Sequence, residues 1–596
     1  MQHLSFTLSD KLSVSLCSML DRVKKKELPR YTALTAGYIG DLTTPTVSND
    51  LVDVNLAIPD LASVELPNLK NDESLENLSD IYYSGKLRLG TLQKLAALET
   101  IERITTKKRK QLLLDSALED IGLLAPTALP RTVPETGTGV FIGIVDSGFD
   151  LSHPMFYDSA GKLRVKALLD QTQSGNPEFD TAALISKLAS GTQPGSDENG
   201  HGTHVASIAG GSLYNGLEGV APDAQFLLVK TDFINVDSGV AWIFRQAGTS
   251  PCVVNLSLGG HYGPHDGTTQ EEKLYETLTG PGKILVVAAG NERQDNLHIG
   301  GRFVLNQVEE IAFDIQLDPS GQRPPVSAST FWYEDTDSFD VELISPSRQS
   351  FPIPALGRSD RFTGANLEIE VSRRRYTPAN AVQIEASINF TRLNIRPVDL
   401  RDWRFRFRCT SATVGRLDGW FANQGFGRFR PHPLLETART LGIPATSKAS
   451  ITVASHVSKN TWVSDDGQQL DGNVLIGRSS PFSSLGPTRD GRWKPDISAP
   501  GQYLTAALAS NSELSNLPER ALVSQKLVTI EGTSMATPVV TGAIALMLQK
   551  KPSLTPNQIL DLFNQNARRD QQTGPALWTP TYGYGKLDIS ALLSEI

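Results

Sequence analysis

The strongest constraint on the fold is a rhythm that breaks off and later resumes. Four short apolar runs, residues 140–145, 226–230, 253–258 and 284–288, are separated by stretches with helical spacing. Apolar runs that alternate with helices are what a parallel sheet requires, because each parallel connection must cross over, usually through a helix. From about Arg302 to Arg430 the period falls to two, most clearly at Trp403-Arg404-Phe405-Arg406-Phe407-Arg408, with turn residues such as those of 319–325 between short strands. The α/β rhythm returns near Leu441 and runs to Ile596. The expected fold is therefore one α/β domain with a parallel sheet and helices on both faces, interrupted by an all-β sandwich.

Upstream, residues 52–58 and 81–89 alternate apolar and polar side chains. Leu92, Leu95 and Leu98 recur at helical spacing before Ile101 and Ile104, which predicts a small α+β unit. The basic run at 107–110 reads as a solvated face, with a cleavage point after basic residues as the alternative. Residues 126–139 contain Pro and Gly and read as a linker. The expected division is a small α+β domain and linker at 1–125, the first half of the α/β domain at 126–293, the β insertion at 294–438 and the second half at 439–596.

Composition narrows the function. With 56 Lys and Arg against 65 Asp and Glu, the formal charge is −9, which argues against a nucleic-acid partner. No run reaches the roughly 20 apolar residues of a membrane-spanning helix. Residues 1–22 carry Asp10 and Lys11 inside their apolar stretch and lack a basic leader, so no secretory signal is expected; a cytoplasmic protein, or export by a leaderless route, follows. Cys17, Cys252 and Cys409 are odd in number and far apart, which suits free thiols.

Three segments carry candidate chemistry. An apolar strand ending at Asp146-Ser147-Gly148 delivers a carboxylate to the C-terminal edge of a parallel sheet, where open α/β folds place their sites. No glycine-rich turn opens a helix after it, so nucleotide binding is disfavoured. At His201-Gly202-Thr203-His204 two histidines stand about one helical turn apart. No acidic residue lies between them as in the HExxH zinc peptidases, so His204 reads as a buried helix residue and no metal is assigned. Gly532-Thr533-Ser534-Met535-Ala536-Thr537-Pro538 leads into an apolar helix and sets Ser534 at its N-terminus, beside unpaired N–H groups. A lone serine there would be only a helix cap. The ordered company of Asp146 and His201 argues for a nucleophile.

Taken together, these segments resemble the triad motifs of the subtilisin-like serine peptidases, or subtilases. Asn255-Leu256-Ser257-Leu258-Gly259-Gly260 is similar to the family's substrate-pairing strand, and Ala288-Ala289-Gly290-Asn291 to the turn bearing its oxyanion asparagine. Residues 219–222, 494–501 and 583–585 also resemble family segments. The resemblance implies a serine endopeptidase with Ser534 as nucleophile, His201 as general base, Asp146 orienting that base and Asn291 as oxyanion donor. It further implies substrate binding by Ser257, Leu258, Gly259, Gly260, Ala288, Gly290 and Gly442. Glycine at 442 would leave a deep pocket for a large apolar residue before the scissile bond.

The N-terminal unit resembles subtilase propeptides, implying an intramolecular inhibitor removed by self-cleavage between about Ile121 and Glu135. The β insertion resembles the jelly-roll insertions of some bacterial members. Polypeptides are the implied substrates, with neither nucleic acid nor membrane as partner, and no cofactor is needed for the chemistry. Met155 stands where many subtilases place a calcium-binding aspartate, and residues 210–219 lack the usual asparagine pair, so the strong calcium site is expected to be missing while acidic loops elsewhere remain open to a structural ion.

Overall fold

A computed structural model describes residues 115–596 apart from 126–127, 318–322, 423–426, 466, 519–520 and 525, and within 1–114 it describes five strands and positions 91 and 95. It divides into two compact units, Met1–Gln111 and Leu112–Ile596. In the first, Leu51–Ala57 pairs antiparallel with Tyr82–Arg88, which pairs with Ser74–Ser79. The far edge of Leu51–Ala57 is shared by Tyr38–Ile39 and Arg103–Thr106. Leu87 and Leu95 are buried. The helical reading of Leu92 and Leu98, the basic run 107–110 and Cys17 lie outside the described residues.

The second unit is built on an eight-stranded sheet in the order Glu178–Asp180, Val165–Asp170, Gln225–Lys230, Phe141–Asp146, Cys252–Leu256, Lys283–Ala288, Ser450–Val457, Ile497–Gln502. All neighbours are parallel except the first pair. Apolar cores lie on both faces, which is why the central strands read as nearly unbroken apolar runs. One core includes the helix Thr533–Lys550, whose residues from Met535 to Leu548 are all buried. A helix that is apolar all round belongs in an interior.

Residues 115–124 belong to this core. Ala117, Leu118, Ile121, Leu123 and Leu124 are buried within it. Ile121 accepts from the Ile589 N–H at 2.8 Å, while Asp120 is held by His456 at 2.8 Å and Arg568 at 2.9 Å.

Between the sixth and seventh strands of the sheet, the chain forms two antiparallel sheets. One has the order His298–Arg302, Arg416–Phe421, Val326–Glu334, Ala381–Phe390, Leu367–Tyr376, Arg358–Thr363. The other runs Ser350–Pro352, Ser338–Ile344, Trp403–Ser411, Val308–Ile315, Gly427–Phe429. They enclose one aromatic-rich core containing Phe331, Phe405, Phe407 and Trp403. The alternation at Trp403–Ser411 is this geometry directly: Trp403, Phe405 and Phe407 point inward while the arginines between them pair with Glu310, Glu342 and Asp340. The insertion joins the α/β domain through a buried ring stack, His261–His265–Trp420–His298, with centroids 5.1, 4.0 and 4.6 Å apart. Asp418 beneath it binds His298 and Arg416.

Candidate active site

Asp146 ends the strand Phe141–Asp146, and the neighbouring strands end at Leu256 and Ala288, so Asp146, Ser257 and Asn291 share one edge of the sheet. His201 opens the helix His201–Gly210, and its Nδ1 lies 2.7 Å from Asp146 Oδ1. Close approach of this helix depends on glycine: a side chain at Gly202 would collide with the Gly148 carbonyl. Gly200 precedes the helix in left-handed conformation (φ 97°). The Asp146 side chain is 2% exposed and that of His201 27%. Burial alone would depress the His201 pKa, but the Asp146 carboxylate, with Asp197 behind it, outweighs burial and holds the pKa above its usual 6.5.

Asp197 is a residue that sequence reasoning missed. Its Oδ1 accepts from Ser147 Oγ and the Gly200 N–H, and its Oδ2 from the Thr203 N–H and hydroxyl. It thereby ties the start of the His201 helix to the strand end carrying Asp146. The available signal was an acid four positions before a helical His-Gly pair, a helix-capping pattern.

Ser534 is the second residue of its helix, not the cap, which is Gly532. Its N–H therefore sits in the first turn, where no intrahelical carbonyl reaches it. Pro538, four residues on, has no N–H to give the Ser534 carbonyl. Ser257 Oγ donates to that carbonyl at 2.8 Å instead. Ser257 is in turn held by Asn255, and Asn255 by Thr541 of the same helix. The Ser534 hydroxyl donates to the Ser257 carbonyl at 3.2 Å rather than to His201. The two helices meet where Gly542 abuts the Ala209 carbonyl, eight residues beyond Ser534 and eight beyond His201. Both residues thus stand about 12 Å along their helices from a common contact.

Asn291 Oδ1 accepts from the Thr533 N–H at 2.9 Å and the Thr533 hydroxyl at 3.0 Å. With its oxygen engaged, the amide presents Nδ2 as a free donor toward the Gly532–Ser534 turn. Thr533 is thus a second missed residue, quoted in the motif without a role. Gly442 donates to the Ala289 carbonyl, and Gly260 exchanges both backbone bonds with Ile443, which together close the base of a slot between residues 257–260 and 288–290. Ala288 is buried in its wall. Leu258 is half-buried and Gly259 is exposed, leaving a backbone edge open. Gly290 is left-handed (φ 110°), and a side chain there would strike Glu292.

His204 is wholly buried, with Nε2 3.2 Å from the Val528 carbonyl, and burial lowers its pKa to about 3. Met155 is buried with its terminal methyl pressed toward Gly211, and a thioether supplies no oxygen ligand, so these residues do not fit a calcium ion at that position. Cys252 and Cys409 are buried free thiols.

Among proteins of known function, this chain is 22% identical to the C5a peptidase of Streptococcus pyogenes serotype M18 over 93% of its length and 46% of that protein. It is 34% identical to the serine protease AprX of Bacillus subtilis over 25% of the chain and 31% of that protein. The chain spans about half the length, or less, of these curated relatives. A solved structure of the CspB protease of Clostridium perfringens matches 80% of this chain and 96% of its own, at 26% identity and a TM-score of 0.66. The subtilase family pattern matches residues 137–312 and 423–585, more than half the chain in two stretches that flank most of the β insertion. With the Asp146–His201 pair, the Ser534 helix and the Asn291 turn gathered at one sheet edge, these matches establish that the chain belongs to the subtilase family of serine peptidases.

Proposed function

We infer that the protein is a serine endopeptidase that cleaves polypeptides through an acyl-enzyme on Ser534. The observation that carries this reading is the 2.7 Å Asp146–His201 pair, with the Ser534 helix end and the oriented Asn291 amide at the same sheet edge. Ser534 Oγ leaves the Ser257 carbonyl, attacks the peptide carbonyl carbon and gives its proton to His201 Nε2. Asp146 fixes the imidazole tautomer and stabilises the cation. The oxyanion accepts from Asn291 Nδ2 and the Ser534 N–H; losing one such donor costs about 2.7–4 kcal/mol, the range known for a subtilisin. Collapse returns the proton to the leaving amine, and water then repeats the sequence to free the enzyme.

Substrate pairs its backbone with residues 257–259, which tolerates many sequences. The slot ending at Gly442 favours a large apolar side chain before the scissile bond. The chain of the insertion crosses repeatedly between two packed antiparallel sheets, with Arg358–Thr363, Leu367–Tyr376 and Ala381–Phe390 consecutive in one of them, and this two-sheet architecture supports the jelly-roll reading.

The N-terminal unit acts as an inhibitor of its own chain until cut away. Sequence suggested a cut between Ile121 and Glu135, but Ile121 and Leu123 are buried, and Leu123 accepts from the Thr132 N–H. Buried, hydrogen-bonded backbone is a poor substrate. The packing therefore disfavours a cut within residues 117–124. Intact-mass analysis with a fluorophosphonate probe tests the whole reading: wild type should gain one probe adduct and lose its N-terminal unit, and Ser534→Ala should do neither. Equal processing of both proteins refutes self-cleavage, and an unlabelled wild type refutes the nucleophile.

A further inference from the structure

We propose that the outer face of the insertion's larger sheet, with Tyr262, is a distal subsite for the substrate about five or more residues upstream of the scissile bond. The proposal rests on the cleft assignment above, in which the chain before the scissile bond runs along residues 257–260. That strand leads away from Ser534 and ends beside Tyr262, and a side chain at Gly260 would touch the Tyr262 ring. Five residues of extended chain cover about 17 Å, so the fifth upstream residue arrives there.

The path does not end at the domain junction. The His261 N–H donates to the Ala422 carbonyl at 3.0 Å, and the Ala422 N–H to the Ala328 carbonyl at 2.8 Å, so the cleft strand continues by hydrogen bonds into the sheet of the insertion. At that point lies a cavity of about 540 Å³, lined by Tyr262, Ala422 and residues from four strands of the sheet. This is ample for several side chains of an extended peptide.

Register explains the recess. Inward residues such as Phe331, Val371 and Ile384 fill the sandwich core, so the intervening positions face out. Across the sheet these form two rows, Thr330, Glu385, Ser372 and Ser359, then Ala328, Ser387, Glu370 and Arg361. Short side chains form the floor and charged ones the rim. The next row is closed by Trp332, packed against Tyr376, whose hydroxyl donates to the Thr268 carbonyl of the α/β domain. Thr330 is 6% exposed, lines the cavity, and its Oγ1 has no hydrogen-bond partner. A buried hydroxyl without a partner is costly, and a peptide group entering the recess supplies one.

The rim defines the chemistry. Arg361 pairs with Glu368 and, at 3.5 Å, with Glu370, and Arg374 pairs with Glu385 at 3.8 Å, so this outer face carries three carboxylates against two guanidinium groups. The subsite thus suits a polar upstream segment bearing Lys or Arg.

The test compares two fluorogenic peptides with the same scissile bond, one with four upstream residues and one with nine that include two lysines. Wild type should cleave the long peptide with kcat/KM about tenfold higher, chiefly through KM. Ser387→Trp, which fills the recess, should bring the long-to-short ratio near one. Glu370→Lys, an exposed change on the recess face, should reverse the preference between lysine-bearing and glutamate-bearing long peptides. A ratio near one in wild type, an unchanged ratio in Ser387→Trp, or an advantage gained only by downstream extension overturns the proposal. Binding of the labelled nine-residue upstream peptide to Ser534→Ala, read by anisotropy, needs no catalysis. It should weaken about tenfold when Ser387→Trp is added, and equal binding overturns the subsite. Failure of wild type to cleave the short peptide instead overturns the proposed function, leaving the binding measurement to judge the subsite.

Discussion

At the scale of single residues, the site is a set of side chains whose freedom has been removed by neighbours. His201 is the informative case. Its pKa is held above 6.5, and in the proposed mechanism only the neutral imidazole accepts the Ser534 proton, so kcat/KM should rise with pH through an inflection above 6.5. Asp146→Asn removes the carboxylate that opposes burial, so that inflection should move downward while kcat falls by about 10⁴-fold. A pH–rate series on both proteins checks the pair of effects. Gly442 has Gly260 backbone atoms 3.6 and 3.7 Å from the position a side chain would take, ordinary contact distances. Gly442→Val should therefore fold and should shift cleavage from large to small residues before the scissile bond, by about 10- to 200-fold in relative kcat/KM on a peptide library.

At the scale of elements, what holds the catalytic unit together is found at its seams. The short helix Asp115–Asp120 is fastened by the bonds of Asp120 to His456 and Arg568. Burial would raise the Asp120 pKa, but its pairing with His456 and Arg568 overcomes burial and brings the pKa to about 2. A carboxylate depressed from 3.8 stabilises the fold above its unfolded pKa, and that stability disappears as pH falls toward 2. Asp120→Asn should thus lower unfolding stability by about 2 kcal/mol at pH 7, with the difference from wild type vanishing near pH 2 in denaturant titrations. Trp420 is the corresponding seam of the insertion: it is fully buried, stacks between His265 and His298, and donates to the Arg439 carbonyl. Trp420→Ala should cost about 3–5 kcal/mol by thermal or chemical denaturation. It should also raise KM, because His261 and His265 lie just beyond the segment proposed to pair with substrate.

At the scale of the whole molecule, a parallel sheet collects at one edge groups that lie far apart in the chain, and the insertion leaves from that edge and returns to it. Much of this was legible beforehand. The apolar runs became the central strands to within a residue or two at each end, because a strand buried on both faces must be apolar throughout. The two-residue period of 403–408 marked the insertion, because a sandwich strand has one dry face and one wet one. Asp146, His201, Ser534 and Asn291 stood out because strand ends and helix starts are local features, written in a few adjacent residues. Long-range pairing is not local, and there the sequence was silent. It could not tell that Asp197 secures the helix of His201, that Ser257 Oγ replaces the donor missing at Pro538, or that residues 115–124 enter the core instead of leading up to a linker. Nor could it tell that Thr330, Ser372 and Ser387, far apart in sequence, line up as the floor of a recess beside the cleft. Strand register decides which side chains become neighbours across a sheet. Register is settled by the packing of the entire domain, so the chemistry could be read from the chain while its surroundings belonged to the tertiary structure alone.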